Sequence, residues 1–282
     1  TEMSKRALCI GVNNYPGTHM DLSGCVNDAN DWAAELATRG FAVNKLIDSQ
    51  ATKAAMVSGI QSLIAAAVSG DLVVITFSGH GTYVPDTNGD EIDGLDEALC
   101  PYDLQTGGGA LIDDEINTLF SARKGGVRLV LISDSCHSGT VTRAAAADPD
   151  ADDAPRPRFM PMGNWLPADQ LPRGISGQPL TMVQVTSGLS PFASALSRMA
   201  GDLLLAGCKE GPNNFSYDAR IGGRPCGAFT YYALKALKAL PANATYADWH
   251  AKINPSYLPS ASYPQSPQIF GSADARQRKI FN

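Results

Sequence analysis

Two short motifs in this chain each carry a potentially reactive group just past an apolar run. One is Leu72-Val-Val-Ile-Thr-Phe-Ser-Gly-His80-Gly81 and the other is Leu129-Val-Leu-Ile-Ser-Asp134-Ser-Cys136-His-Ser-Gly139. A thiol with a pKa of about 8.5 is mostly protonated at neutral pH. A nearby imidazole that takes its proton, or stabilises the thiolate as imidazolium, turns it into a nucleophile. Gly81 lets the backbone pass close to a substrate, and its N–H, with that of Cys136, suits an oxyanion hole. A single cysteine after an apolar strand is most often a core residue. Two polar, glycine-flanked motifs, each ending a buried strand, point instead to paired chemistry. His137 is the rival base, but consecutive residues of an extended chain face opposite sides. His80 is therefore the expected partner of Cys136. No third, orienting residue is identifiable.

Asp134 precedes Cys136 by two residues and so points to the same side of its strand. Asp28 opens the first predicted helix, at the same end of the sheet. Two converging carboxylates pair with a guanidinium in bidentate fashion, or with an ammonium as a point charge. Asp28 serves equally well as a helix N-terminal cap, and Asp134 as a strand-end carboxylate bonded to loop amides.

The elements that must position these groups are legible as apolar runs. Ala7–Val12, Phe41–Ile47, Leu72–Phe77, Val127–Ile132 and Asp202–Ala206 read as strands covered on both faces. Helical patterns separate them, over about Val26–Thr38, Thr52–Val68, Leu111–Ala122 and Ala228–Leu240. Such alternation predicts a mostly parallel α/β sheet with helices on both faces. Sites in such sheets form beyond the carboxyl ends of the strands. Residues 144–175, rich in Ala, Asp and Pro, read as an exposed loop between a larger part, 1–143, and a smaller one, 176–282, which completes the same domain.

Composition narrows the classes. The 282 residues carry a net charge of −6 with no basic run, which disfavours nucleic acid as a partner. No apolar stretch is long enough to span a membrane, and no membrane partner is expected. The six cysteines include no C-x-x-C pair, and their spread suits a reduced, cytoplasmic protein. Thr1 to Arg6 show no signal pattern; without an initiator Met, a trimmed or excised chain is left open.

SGHG followed by DSCHSG resembles the metacaspases and their prokaryotic relatives, the orthocaspases. The likeness includes ALCIGVNNYP at the start, GCVNDA at 24–29, GDEIDGLDEALCPYD at 89–103 and GAFTYYALKAL at 227–237. Caspases carry their His about 50 residues before the Cys; here 56 residues separate the two. The resemblance implies a caspase-like (caspase-hemoglobinase) α/β fold with a mostly parallel central sheet of about six strands flanked by helices, a monomer, and a cysteine endopeptidase cutting polypeptides after Arg or Lys at P1. It also implies that Ser78, Cys25, Asp28 and Asp134 line the S1 pocket. Phe215, Tyr217 and Asp218 follow the fifth strand and are candidates for outer subsites. Arg143, Arg156, Arg158 and Arg173, in or beside the loop, are candidate autoprocessing sites; the plain alternative is an ordinary disordered insertion.

No organic cofactor is implied. The segment Asp86–Glu97 superficially resembles a calcium loop, but Glu91 stands where an EF-hand needs Gly. Calcium-activated metacaspases use another cluster, matched here by Asp96, Asp113 and Asp114. Arg143 occupies the position of its last acidic ligand, so calcium is expected not to be required. Asp113 and Asp114 also suit the first turn of a helix. Rival readings are a catalytically silent scaffold or regulatory module of this fold, another thiol acyl-transfer enzyme or amidase, and a nucleotide-binding α/β domain. The last lacks a phosphate-cradling Gly loop.

Overall fold

A computed structural model describes residues 2–87, 95–136, 154–171, 202–209 and 214–282. Its centre is a six-stranded sheet built from β1 (Lys5–Gly11), β2 (Ala42–Ile47), β3 (Leu72–Ser78), β7 (Arg128–Asp134), β9 (Leu203–Ala206) and β12 (Gln268–Gly271). The spatial order is β12-β9-β7-β3-β1-β2, and only β12 runs antiparallel. The expected sheet of about six mostly parallel strands is what forms. Alternate residues feed two cores, as the two-residue period of a strand requires. Leu8, Ile10, Val73, Ile75, Leu129 and Leu131 face α2 (Lys53–Ala66) and α3 (Asp113–Ser121), meeting Met56, Ile60, Ile116 and Phe120. Ala7, Cys9, Leu72, Val74, Val130 and Ile132 face α1 (Cys25–Thr38), α4 (Ala228–Ala239) and α5 (Tyr246–Ile253), meeting Trp32, Phe229 and Trp249. A short α6 (Ala273–Arg276) follows β12.

Three departures from the sequence reading matter for the site. Leu111–Ile112 is a short strand, β6, before its helix; it pairs with β5 (Leu95–Leu99), which pairs with β4 (Gly81–Pro85). These antiparallel strands are too short and too mixed in polarity to show a clear period. A hairpin of β10 (Tyr217–Ile221) and β11 (Arg224–Gly227) turns on Gly222 and Gly223, both at positive φ, and leads directly into α4. Finally, the segment read as an exposed loop is not exposed at its centre. Arg156–Pro157 form β8, which adds antiparallel to β10, and Arg158, Phe159 and Met160 are buried. A polar composition predicted solvent exposure; burial follows because acceptors for the Arg158 charge lie in the fold itself.

Register brings the chemistry together. Gly11 lies opposite Ser78, and Ser78 opposite Asp134, so the tips of β1, β3 and β7 end side by side. Among the described residues, no helix is long and apolar enough to cross a membrane.

Candidate active site

His80 follows the tip of β3 and Cys136 the tip of β7. Both are buried. The His80 Nε2 lies 2.6 Å from the Met20 carbonyl oxygen. A carbonyl only accepts, so Nε2 carries the proton and Nδ1 is left as the acceptor. That Nδ1 has no hydrogen-bond partner among the described residues. Tyr15 supports the loop from behind: its hydroxyl accepts from the His80 N–H at 2.9 Å, and its ring lies 5.0 Å from the imidazole. A Cβ on Gly79 would collide with that hydroxyl, which is why a glycine precedes the histidine. Burial pushes the His80 pKa down to about 4; the Met20 carbonyl opposes this. The imidazole is thus neutral at pH 7, with Nδ1 carrying a lone pair.

The chain's own segment 156–160 occupies the cleft. The Arg158 carbonyl oxygen accepts from the Gly81 N–H at 3.0 Å and from the Cys136 N–H at 3.1 Å. These are the two donors expected to form an oxyanion hole, at the distances such a hole needs. The Arg158 N–H donates to the Ser216 carbonyl at 2.8 Å. The Cys136 sulfur lies 3.3 Å from that same carbonyl oxygen and accepts from the Ser216 N–H.

The Arg158 side chain fills an acidic pocket. Its Nη1 is 2.8 Å from Asp28 and 3.2 Å from Asp134; its Nη2 is 2.9 Å from Asp218. Each carboxylate is itself held by donors. The Gly227 N–H donates to both Asp28 oxygens. Asp134 accepts from the Thr230 N–H at 3.0 Å, the Thr230 hydroxyl at 2.7 Å and the Ser216 hydroxyl. Thr230 sits in the first turn of α4, whose dipole also favours a negative charge there. Asp218 accepts from the N–H groups of Ser23 and Gly24. Any side chain at Gly227 would strike Asp134, Arg158 and Asp28 together.

Asp28 and Asp134 therefore converge on one guanidinium. Asp28 is not a cap: Gly24 is the N-cap of α1, and the Asn13 side chain accepts from Cys25 and Val26 N–H. Ser78, the last residue of β3, and Cys25, the first of α1, are both buried; burial pushes the Cys25 thiol up, while Arg158 pulls it back. Asp218, read as an outer-subsite residue, instead provides the third carboxylate. The Phe215 and Tyr217 rings meet edge-on at 6.3 Å beside the cleft. Arg156 is described and exposed. Arg143, Arg173 and His137 lie outside the described residues. Asp96 and Asp113 are buried, with Asp114 beside them in the first turn of α3. Among the described residues, no three His, Cys, Asp or Glu side chains converge as a metal site. All six cysteines are buried and unbridged.

Sequence reasoning missed Met20, Tyr15, Ser216, Thr230 and Gly227. Met20 acts through its backbone carbonyl, and Ser216 through its backbone on Arg158 and Cys136 as well as its hydroxyl on Asp134; backbone contacts leave no side-chain signature. The NNYP and GAFT segments were visible as motifs, but their contacts required the fold.

Burial pushes the Asp28 carboxyl above the usual carboxylate range, and Arg158 is the largest opposing influence. A carboxyl raised in the folded chain stabilises it below the unfolded pKa, about 3.9. That contribution is lost as pH rises through the folded value. Arg158 limits the loss. With Cys136→Ala as background to keep the chain inert, Arg158→Ala is expected to destabilise by about 3–5 kcal/mol, the usual result of leaving buried charges unpaired. The deficit in melting temperature should be larger at pH 8 than at pH 5. An equal deficit at both would show that the carboxylates do not depend on this guanidinium.

Comparisons with known proteins identify the family and the fold. The family model for the metacaspase, peptidase C14 domain matches residues 5–145. The chain is 30% identical to Metacaspase-1 of Cryptococcus neoformans over 95% of its length, but spans 62% of that protein. It is 42% identical to Metacaspase-7 of Arabidopsis thaliana over 49% of this chain and 35% of the relative. Among solved structures, protein GSU0716 from Geobacter sulfurreducens is 31% identical with a TM-score of 0.68, covering 98% of this chain and 97% of its own. Caspase-1 of Spodoptera frugiperda, 14% identical with a TM-score of 0.56 over 96% of this chain and 86% of its own, shares the fold. The chain belongs to the metacaspase family, carrying its peptidase C14 domain on a caspase-like α/β fold.

Proposed function

We propose that this chain is a cysteine endopeptidase that hydrolyses peptide bonds after a basic residue, and that one of its substrates is itself. One observation carries this: the Arg158 carbonyl sits on the Gly81 and Cys136 N–H groups while its guanidinium sits on Asp28, Asp134 and Asp218. That is how a P1 residue would lie before attack. His80 Nδ1 takes the thiol proton, and the Cys136 sulfur adds to the carbonyl carbon. The oxyanion collapses to a thioester as the leaving amine takes the proton from His80. Water, deprotonated by His80, then releases the acid and regenerates the thiol.

The pocket's shape favours Arg over Lys. Two nitrogens of one planar fork reach three carboxylates, a span that a single ammonium cannot match. The test is hydrolysis of peptides varied only at P1. Arg is expected first, Lys second, and Asp not cleaved. Equal rates for Arg and Asp would remove the proposal. A silent scaffold predicts no hydrolysis at all.

Calcium is proposed not to be required, because Arg143 would repel a dication where the related cluster has an acidic ligand. Millimolar calcium should change the rate by less than about tenfold relative to a chelator. A larger rise would overturn this. The protein is further proposed to act as a monomer in the cytoplasm.

A further inference from the structure

The chain beyond Arg158 stays bound to the body of the protein, and its first side chain has a pocket of its own. Phe159 is 1% exposed. Its ring meets Tyr83 edge-on at 6.1 Å. It shares a buried apolar cluster with Tyr83, Leu95, Cys208, Phe215 and the Cys136 side chain. Tyr83 comes from β4, Leu95 from β5, and Cys208 and Phe215 from the stretch between β9 and β10, so three parts of the fold meet there. The backbone around Phe159 is also held. Gly81 forms a parallel bridge with Phe159, and its carbonyl accepts from the Met160 N–H at 2.8 Å. The Thr82 hydroxyl donates to the Met160 carbonyl at 2.7 Å.

We infer that this apolar pocket is an S1′ subsite, and that the enzyme selects substrates with a large aromatic or aliphatic residue immediately after the basic one. The inference rests on the proposed cleavage after Arg158 and adds a second specificity to it. Charge places the residue before the scissile bond, and apolar burial places the one after it. An acidic or basic P1′ side chain would be desolvated among Tyr83, Leu95, Cys208 and Phe215, none of which carries a formal charge to pair with it at neutral pH. Loss of a whole ring from such a pocket exceeds the 10–200-fold range of a single methylene at its lower end.

The experiment uses an Arg158→Ala/Phe159→Ala chain, in which the native occupant has lost both anchors. Three internally quenched peptides differ only after the Arg: Arg-Phe, Arg-Ala and Arg-Asp. Arg-Phe is expected to be hydrolysed at least tenfold faster than Arg-Ala in kcat/KM, with Arg-Asp slowest. Adding Tyr83→Ala should shrink the Phe-to-Ala ratio while the Arg-Ala rate changes less. Binding of the same peptides to a Cys136→Ala version should show the same order, independently of turnover. Equal rates and equal binding for the three peptides would overturn the S1′ inference and leave cleavage after Arg standing. No hydrolysis and no binding of any Arg peptide, by a chain whose near-ultraviolet circular dichroism matches that of the parent, would overturn both.

Discussion

Incubated at neutral pH, the chain is expected to split between Arg158 and Phe159, while its Cys136→Ala variant stays whole. The pieces should contain residues 1–158 and 159–282, and mass spectrometry identifies them directly. The Arg158 carbonyl already rests on two backbone donors, and the Arg158 N–H is fixed on the Ser216 carbonyl. What the variant lacks is the nucleophile, and removing a nucleophile from an intact catalytic unit costs three or more orders of magnitude. Peptide hydrolysis should fall by at least that factor in the variant. A backbone donor at position 136 survives the change, so the oxyanion hole persists and the loss reports the sulfur. Fragments appearing equally in both chains would point to a contaminating protease and end the self-cleavage proposal. Arg158→Ala should also prevent the cut at this bond.

The second large effect is expected from Asp134→Ala. This carboxylate contacts Arg158 and also gathers the Thr230 N–H, the Thr230 hydroxyl and the Ser216 hydroxyl. Truncating one partner of a buried, hydrogen-bonded charge pair costs about 2–5 kcal/mol, which is roughly 30- to 5,000-fold in kcat/KM. The loss should fall on Arg-ended peptides. Near-ultraviolet circular dichroism distinguishes a lost contact from a lost fold. If the chain were a thiol enzyme of another kind, with a substrate that needs no acid pocket, Asp134→Ala would leave its rate nearly unchanged.

The apolar runs of β1, β3 and β7 were readable because parallel strands buried on both faces are continuous in Val, Ile and Leu. His80 between two glycines, and Cys136 three residues before Gly139, stood out against them. Asp134 was assignable by strand alternation, but Asp28 had two equal readings until the Asn13 side chain was found doing the capping. Asp218 could not be placed. It lies on a hairpin whose position depends on long-range pairing, 84 residues after Asp134 in sequence. Arg158 was one of four arginines in or beside a polar segment, and nothing local distinguishes it from Arg156. Only the acid pocket, assembled from three distant elements, selects it. The role of GAFT was hidden for a similar reason: a pattern of apolar residues announces helix packing, whereas the use of its first N–H groups is a property of what lies opposite.

The cleft draws on both sides of the bond it would cut. Gly81 and Cys136 come from before Arg158, and Ser216, Asp218 and Thr230 come from after it, while β7 and β9 lie hydrogen-bonded in the middle of the same sheet. A severed chain would therefore remain one particle. Its halves are laced together by strand pairing and a common core, so the scission would remove a tether without dismantling the machine that made it.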